Sequence, residues 1–165
     1  MTGRVSVVKV GVSAEKWGAV SSFSFRGGPV LTLDSKWRLT VPAKYKDVLV
    51  STVAGRMVIA KNPDGCLSLY PLPIWEAFEA ELRAMPLEQA PWKRLYIGSA
   101  TDVEIDGGSR VLIPYELREW AGLDREVKFM GVGSYFELWD NARYTARETE
   151  LLSGERPEAL RKLVF

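Results

Sequence analysis

The 165-residue chain contains no histidine and a single cysteine, Cys66. These shortages remove the Ser-His and Cys-His dyads of nucleophilic catalysis, and any zinc site of the usual Cys/His kind, which needs several such ligands. No disulfide can form within one chain, which suits a reducing, cytoplasmic setting. Cys66 lies in an alternating apolar stretch and reads as a small buried hydrophobe rather than a nucleophile. Carboxylates are present, but no two are placed by a recognisable site motif. Neither an enzyme nor a cofactor, metal or small-molecule substrate is therefore expected. Long apolar runs are missing as well: none approaches the length of a membrane-spanning helix. The apolar residues of Met1 to Ser22 are interrupted by Lys9, Glu15 and Lys16, so this segment reads as an exposed extension rather than a signal peptide. With 47% hydrophobic and 26% charged residues the rest reads as a globular domain, not a disordered chain.

What is present is a repeat. Leu33 to Pro42 reads Leu-Asp-Ser-Lys-Trp-Arg-Leu-Thr-Val-Pro, and 72 positions later Ile105 to Pro114 reads Ile-Asp-Gly-Gly-Ser-Arg-Val-Leu-Ile-Pro. Each copy has an aliphatic residue, an Asp, an Arg four places on, three β-prone residues and a terminating Pro. In the first copy Val30 to Leu33 and Leu39 to Val41 read as strands around a turn at Asp34 to Trp37, forming a hairpin or a bent strand pair. A short helix is expected over Ala43 to Leu49. Strands over Arg56 to Ala60 and Cys66 to Tyr70 flank the Asn62-Pro63-Asp64-Gly65 turn. A helix over Ile74 to Ala84 turns Ile74, Trp75, Phe78 and Leu82 to one side. Pro86 and Pro91 bracket a loop, and Trp92 to Ile97 leads to the second copy. There, Pro114 to Ala121 forms the helix with Leu117 and Trp120 inward, Val127 to Met130 a strand, and Phe136, Leu138 and Trp139 match Leu67, Leu69 and Tyr70. Helices are expected over Arg143 to Leu152 and Pro157 to Leu163.

One repeat of about 50 residues buries too little surface to be stable alone. The two are therefore expected to share one core: mainly β with accessory helices (α+β), as a single pseudo-two-fold β-barrel. The boundaries read as an N-terminal extension over 1–24, a first repeat over 25–72, a linking helix and loop over 73–95, a second repeat over 96–140, and C-terminal helices over 141–165.

Net charge is only +1, but its distribution is uneven. From Ser24 to Leu72 seven basic residues face three acidic ones, a net of +4, whereas from Tyr96 to Trp139 four basic residues face eight acidic ones, a net of −4. The basic half is the candidate nucleic-acid face, since phosphate contacts gain from counterion release. The alternative is that both sets are solvated surface.

Phe25-Arg26-Gly27, Leu33 to Pro42, Asp64-Gly65-Cys66-Leu67-Ser68-Leu69-Tyr70-Pro71-Leu72-Pro73-Ile74-Trp75-Glu76 and Phe136-Glu137-Leu138-Trp139-Asp140 closely resemble the bacterial MraZ family, in the right order and from about Phe25 onward. The resemblance implies two AbrB-like (SpoVT-AbrB) swapped-hairpin units per chain and a ring-shaped homo-oligomer. It also implies a transcriptional regulator that binds repeated promoter elements of double-stranded DNA, upstream of a cell-division and cell-wall gene cluster, and so works at the nucleoid. The family's Asp-x-x-x-Arg motif maps onto Asp34 and Arg38, with Lys36 between them. Arg38 has the planar fork for a guanine edge or a phosphate, Lys36 is a point charge for phosphate, and Asp34 orients Arg38 or caps the turn. Arg26 and Lys44 are further phosphate candidates. Asp34 and Arg38 could instead form an internal salt bridge, and for the second copy, Asp106 and Arg110, the structural role is favoured.

The family usually has Gly before each arginine, where this chain has Trp37 and Ser109. If that Gly supplies a positive φ, Trp37 either changes the turn or finds other contacts, by stacking on a base or sugar or burying against a neighbouring subunit. The competing function is an antitoxin-like interaction module, with Pro157 to Phe165 as its docking peptide.

Overall fold

The computed structural model describes residues 24–163. The extension expected over 1–24 thus lies almost entirely outside the described residues, as do Val164 and Phe165. The first repeat supplies β1 (Phe25–Gly27), β2 (Val30–Thr32), β3 (Arg38–Thr40), α1 (Ala43–Val53), β4 (Arg56–Asn62) and β5 (Cys66–Pro71). The link holds α2 (Leu72–Arg83), a 3-10 turn at Leu87–Gln89 and α3 (Ala90–Tyr96). The second repeat supplies β6 (Thr101–Glu104), β7 (Arg110–Leu112), α4 (Tyr115–Trp120), β8 (Glu126–Gly133) and β9 (Phe136–Asp140), followed by α5 (Asn141–Leu152) and α6 (Glu158–Arg161).

β2 and β3 do not form a hairpin. β2 pairs with β8, placing Leu31 opposite Val127, and β6 returns the exchange by pairing with β4, placing Val103 opposite Met57. β3 pairs with β7, Leu39 opposite Val111. The arms on either side of each turn thus find their partners in the other repeat, which is the bent pair and not the hairpin. The large sheet runs β1-β8-β9-β5-β4-β6, with β2 also on β8. Matching β6 to β1 and β2, β8 to β4 and β9 to β5 makes that order read the same from either end. The dyad passes through the Leu39–Val111 pair, whose members are 72 positions apart like the two motifs, and through the Ser68–Glu137 pair of β5 and β9.

The hydrogen bonds do not close the strands into the expected barrel. Among the described residues the seven-stranded sheet keeps β1 and β6 as edges, and β3–β7 is a separate two-stranded ribbon. Ribbon and sheet enclose one apolar core. Leu39, Val111, Phe129, Phe136, Leu67 and Leu138 are all buried in it. Phe25, Tyr45, Phe129 and Phe136 meet there as a ring cluster, with the Phe129 and Phe136 centroids 4.9 Å apart and stacked. Cys66 is fully buried, and burial pushes its thiol well above the ordinary range, away from nucleophile chemistry.

α1 follows Pro42 and runs past the expected Leu49 to Val53. It ends on a left-handed Ala54, and Gly55 donates back to Leu49 O at 3.0 Å. Gly55 is needed at φ 71°, since a Cβ there would stand 3.2 Å from Ile105 Cβ. The outer face of β4 and β5 is covered by α2 and α3, where Tyr70, Trp75, Phe78 and Tyr96 form a second cluster. The loop expected between Pro86 and Pro91 is in fact a 3-10 turn and the start of α3, with Pro91 in the helix's first turn, where its missing N–H leaves no bond unmade. Trp120, expected inward, is 37% exposed: α4 is only six residues long, and Ala121 and Leu123 just beyond it fill the core instead. α5 starts at Asn141, capped by Asp140, whose Oδ2 accepts from Arg143 N at 3.1 Å. It lies on β8 and β9 but contributes no buried residue.

Candidate nucleic-acid interface

The Asp34 carboxylate organises the first turn. Its Oδ1 accepts from Lys36 N at 2.8 Å and Arg38 N at 2.9 Å, and its Oδ2 accepts from Arg38 Nε at 2.8 Å. Asp34 therefore both caps the turn and orients the arginine. The backbone N–H of Arg38, more than any other group, holds this carboxyl below its ordinary range; desolvation opposes the shift, and the Arg38 guanidinium adds to it. The internal ion pair is real, but it uses one of the five guanidinium N–H donors. Among the described residues the Nη groups of Arg38 are not hydrogen-bonded, which leaves the fork free. Lys36 is exposed at the tip.

The second turn repeats the design. Asp106 Oδ1 accepts from Gly108 N at 2.8 Å and Arg110 N at 3.0 Å, and the Arg110 amide again leads in holding that carboxyl low. The side-chain pair is looser, with Arg110 Nε 3.5 Å from Asp106 Oδ2. The turns clamp one another: Val41 N donates to Ser109 O at 2.8 Å, and Ile113 N to Trp37 O at 3.2 Å. In the ribbon Leu39 and Val111 point inward, so Arg38, Thr40, Arg110 and the 58% exposed Leu112 share the outward face. Arg110 stands opposite Thr40, about 7 Å along the strand from Arg38.

Trp37 and Ser109 adopt φ 61° and 64°, the left-handed conformation that a glycine would supply, so the bulky residue does not reshape the turn. Trp37 instead gains two cations over its ring. The Arg125 guanidinium lies 3.6 Å from its ring centroid and that of Arg118 lies 4.0 Å away, with Tyr115 5.0 Å beyond Arg118. Arg125 Nη1 also donates to Asp34 O. These neighbours were missed in the sequence because they sit 81 and 88 positions further on, in the acidic half. The signal that could have found them is the strand exchange, for once β2 lies on β8, Arg125 must abut Leu33, whose N–H donates to Arg125 O at 2.8 Å.

Arg26 and Lys44 are brought to each other rather than to this turn. Tyr45 Oη donates to Arg26 O, and the neighbouring Lys44 Nζ lies 4.8 Å from the Tyr45 ring, against Gly27. Arg26 stands opposite Val132, at the other end of β8 from Arg125.

A family model described as "MraZ protein, putative antitoxin-like" matches this chain twice, over residues 25–95 and 96–163. A protein of Burkholderia mallei named "Transcriptional regulator MraZ" is 45% identical over 141 residues, which is 86% of this chain and 99% of that protein. The chain belongs to the MraZ family. Relatives of the same name in Burkholderia pseudomallei and Burkholderia cenocepacia are 45% and 44% identical over the same share of each chain. The paired turns and the exchanged strands are thus the setting in which an MraZ family member carries Trp37 at a left-handed backbone position. Among the described residues no helix is long and apolar enough to cross a membrane, and no group of three or more acidic or cysteine side chains is placed to hold a metal.

Proposed function

We propose that this chain is a transcriptional regulator that binds double-stranded promoter DNA through the outward face of the β3–β7 ribbon. The observation that carries this reading is Arg38, fixed through Nε by Asp34 while its Nη fork stays free at the surface, as bidentate contact with a guanine edge or a phosphate requires. Lys36 adds a phosphate contact at the tip. Arg26 and Lys44 would meet the backbone elsewhere, and Asp106 holds Arg110 as the second, weaker copy. The family resemblance supports repeated elements upstream of a division and cell-wall gene cluster as the target, with a ring of subunits engaging several elements at once so that multivalency raises a modest single-site affinity. Exposed Val50, Leu151 and Leu152 are suited to subunit contacts in such a ring.

The antitoxin-like wording of the family description and the exposed Leu160 and Leu163 near the C-terminus favour a second reading, in which a protein partner docks there. A salt titration of binding to the DNA upstream of its own gene, run with native mass measurement, separates the two. The regulator shows a steep salt slope and a multi-subunit mass. A flat slope with one co-purifying stoichiometric partner favours the interaction module.

A further inference from the structure

Arg118 and Arg125 have no carboxylate partner among the described residues, although they come from the Tyr96 to Trp139 stretch with its eight acidic residues. Arg118 Nε is buried and unsatisfied, and the Arg118 side chain donates no hydrogen bond within the described structure. Nε of Arg110 in the second turn is closed off in the same way, but the Arg118 Nη groups are neither buried nor hydrogen-bonded, which leaves them open to an anion. Both guanidiniums instead lie over the Trp37 ring, which Lys36 and Arg38 flank in sequence. The second turn has no such stack, although Lys46 holds the position matching Arg118. Ser109 offers no ring, and the residue matching Arg125 is Gly55, since Gly55 O accepts from Ile105 N as Arg125 O accepts from Leu33 N.

We infer that the Arg118–Trp37–Arg125 stack is a composite phosphate cradle, in which the second repeat supplies two backbone-contacting arginines to the first repeat's turn and Trp37 is the positioning residue that holds them. This rests on the DNA-binding reading above and adds to it a contact set drawn from both repeats. A cradle of two or more phosphates beside Arg38 fixes the register in which the Arg38 fork meets the duplex. Trp37 thereby does work that a glycine at the same φ cannot.

The test uses the full chain and a fluorescein-labelled duplex of the DNA upstream of its own gene, with affinity followed by anisotropy against salt. Arg118→Gln and Arg125→Gln are each expected to flatten the slope of log K on log salt by about 0.9 per engaged subunit, and the double variant by about 1.8. Arg83→Gln, which removes a positive charge from α2, should leave the slope unchanged. The Arg118→Lys/Arg125→Lys variant keeps both charges without planar stacking, so it should hold the slope and bind severalfold more weakly. Trp37→Gly should fold and weaken binding severalfold, with Trp37→Phe restoring it. A wild-type slope in the folded double Gln variant, or wild-type affinity in Trp37→Gly, overturns the cradle while Arg38→Ala still weakens binding by about tenfold or more. A flat slope in the wild type overturns the DNA reading itself.

Discussion

At Trp37 and Ser109 the backbone takes φ 61° and 64°, and in each case an Asp three residues earlier accepts two amides with one oxygen, yet the first turn carries a layer of guanidiniums and the second carries none. The backbone of a turn here is local property, set by Asp-x-x-x-Arg. Its chemistry is a property of the opposite repeat, because the strand exchange decides which side chains surround it. Two copies can share a shape and still face different partners.

Four comparisons break or sharpen this contrast. The largest effect belongs to the shared part: Leu39→Ala empties the fully buried dyad position and is expected to cost about 3 kcal/mol in denaturant unfolding. Both turns should lose amide-exchange protection together, and loss at one turn alone would contradict the common core. Next, Arg38→Ala should weaken DNA binding by about tenfold to a hundredfold, the ~1–3 kcal/mol of a bidentate contact, whereas Arg110→Ala should change it less than about threefold. Equal losses would make both turns readers. A smaller effect separates the two left-handed residues. Ser109→Gly should stabilise the fold by about 1 kcal/mol through relief of the positive φ, while Trp37→Gly gains that relief but loses the stack, so its melting temperature should stay close to wild type.

The smallest effect is that of pH. Asp34 and Asp106 both titrate below the ordinary 3.8, so each turn's stabilisation is present above that value and fades only as pH falls through the lowered pKa. With no histidine in the chain, DNA affinity should be flat between about pH 5 and 8. A marked change in that window would implicate a group outside both turns.

The repeat, the mainly-β class, the helix after each half and the Asp–Arg turns were legible because they rest on local patterns: alternation, prolines and a four-residue spacing. Pairing was not. Alternating strands such as Val30 to Leu33 state which face is buried but not which neighbour shares the hydrogen bonds, so an exchanged ribbon and a hairpin look alike until the fold is seen. In sequence the basic pole is the first repeat alone for the same reason: Arg118 and Arg125 count towards an acidic stretch there and belong to the basic turn in space. Arg26 and Lys44 were legible as basic residues, but their distance along β8 from Arg38 was not.

The palindromic strand order has a mechanical meaning. Every long-range pairing of β1, β2, β3 and β6 joins one repeat to the other, so neither half can be peeled away first. A protease nick in the Met85–Glu88 connection would cut the covalent thread and leave two fragments clasped, migrating together until denaturant releases both at once. The chain is, in effect, a dimer that carries its own tether.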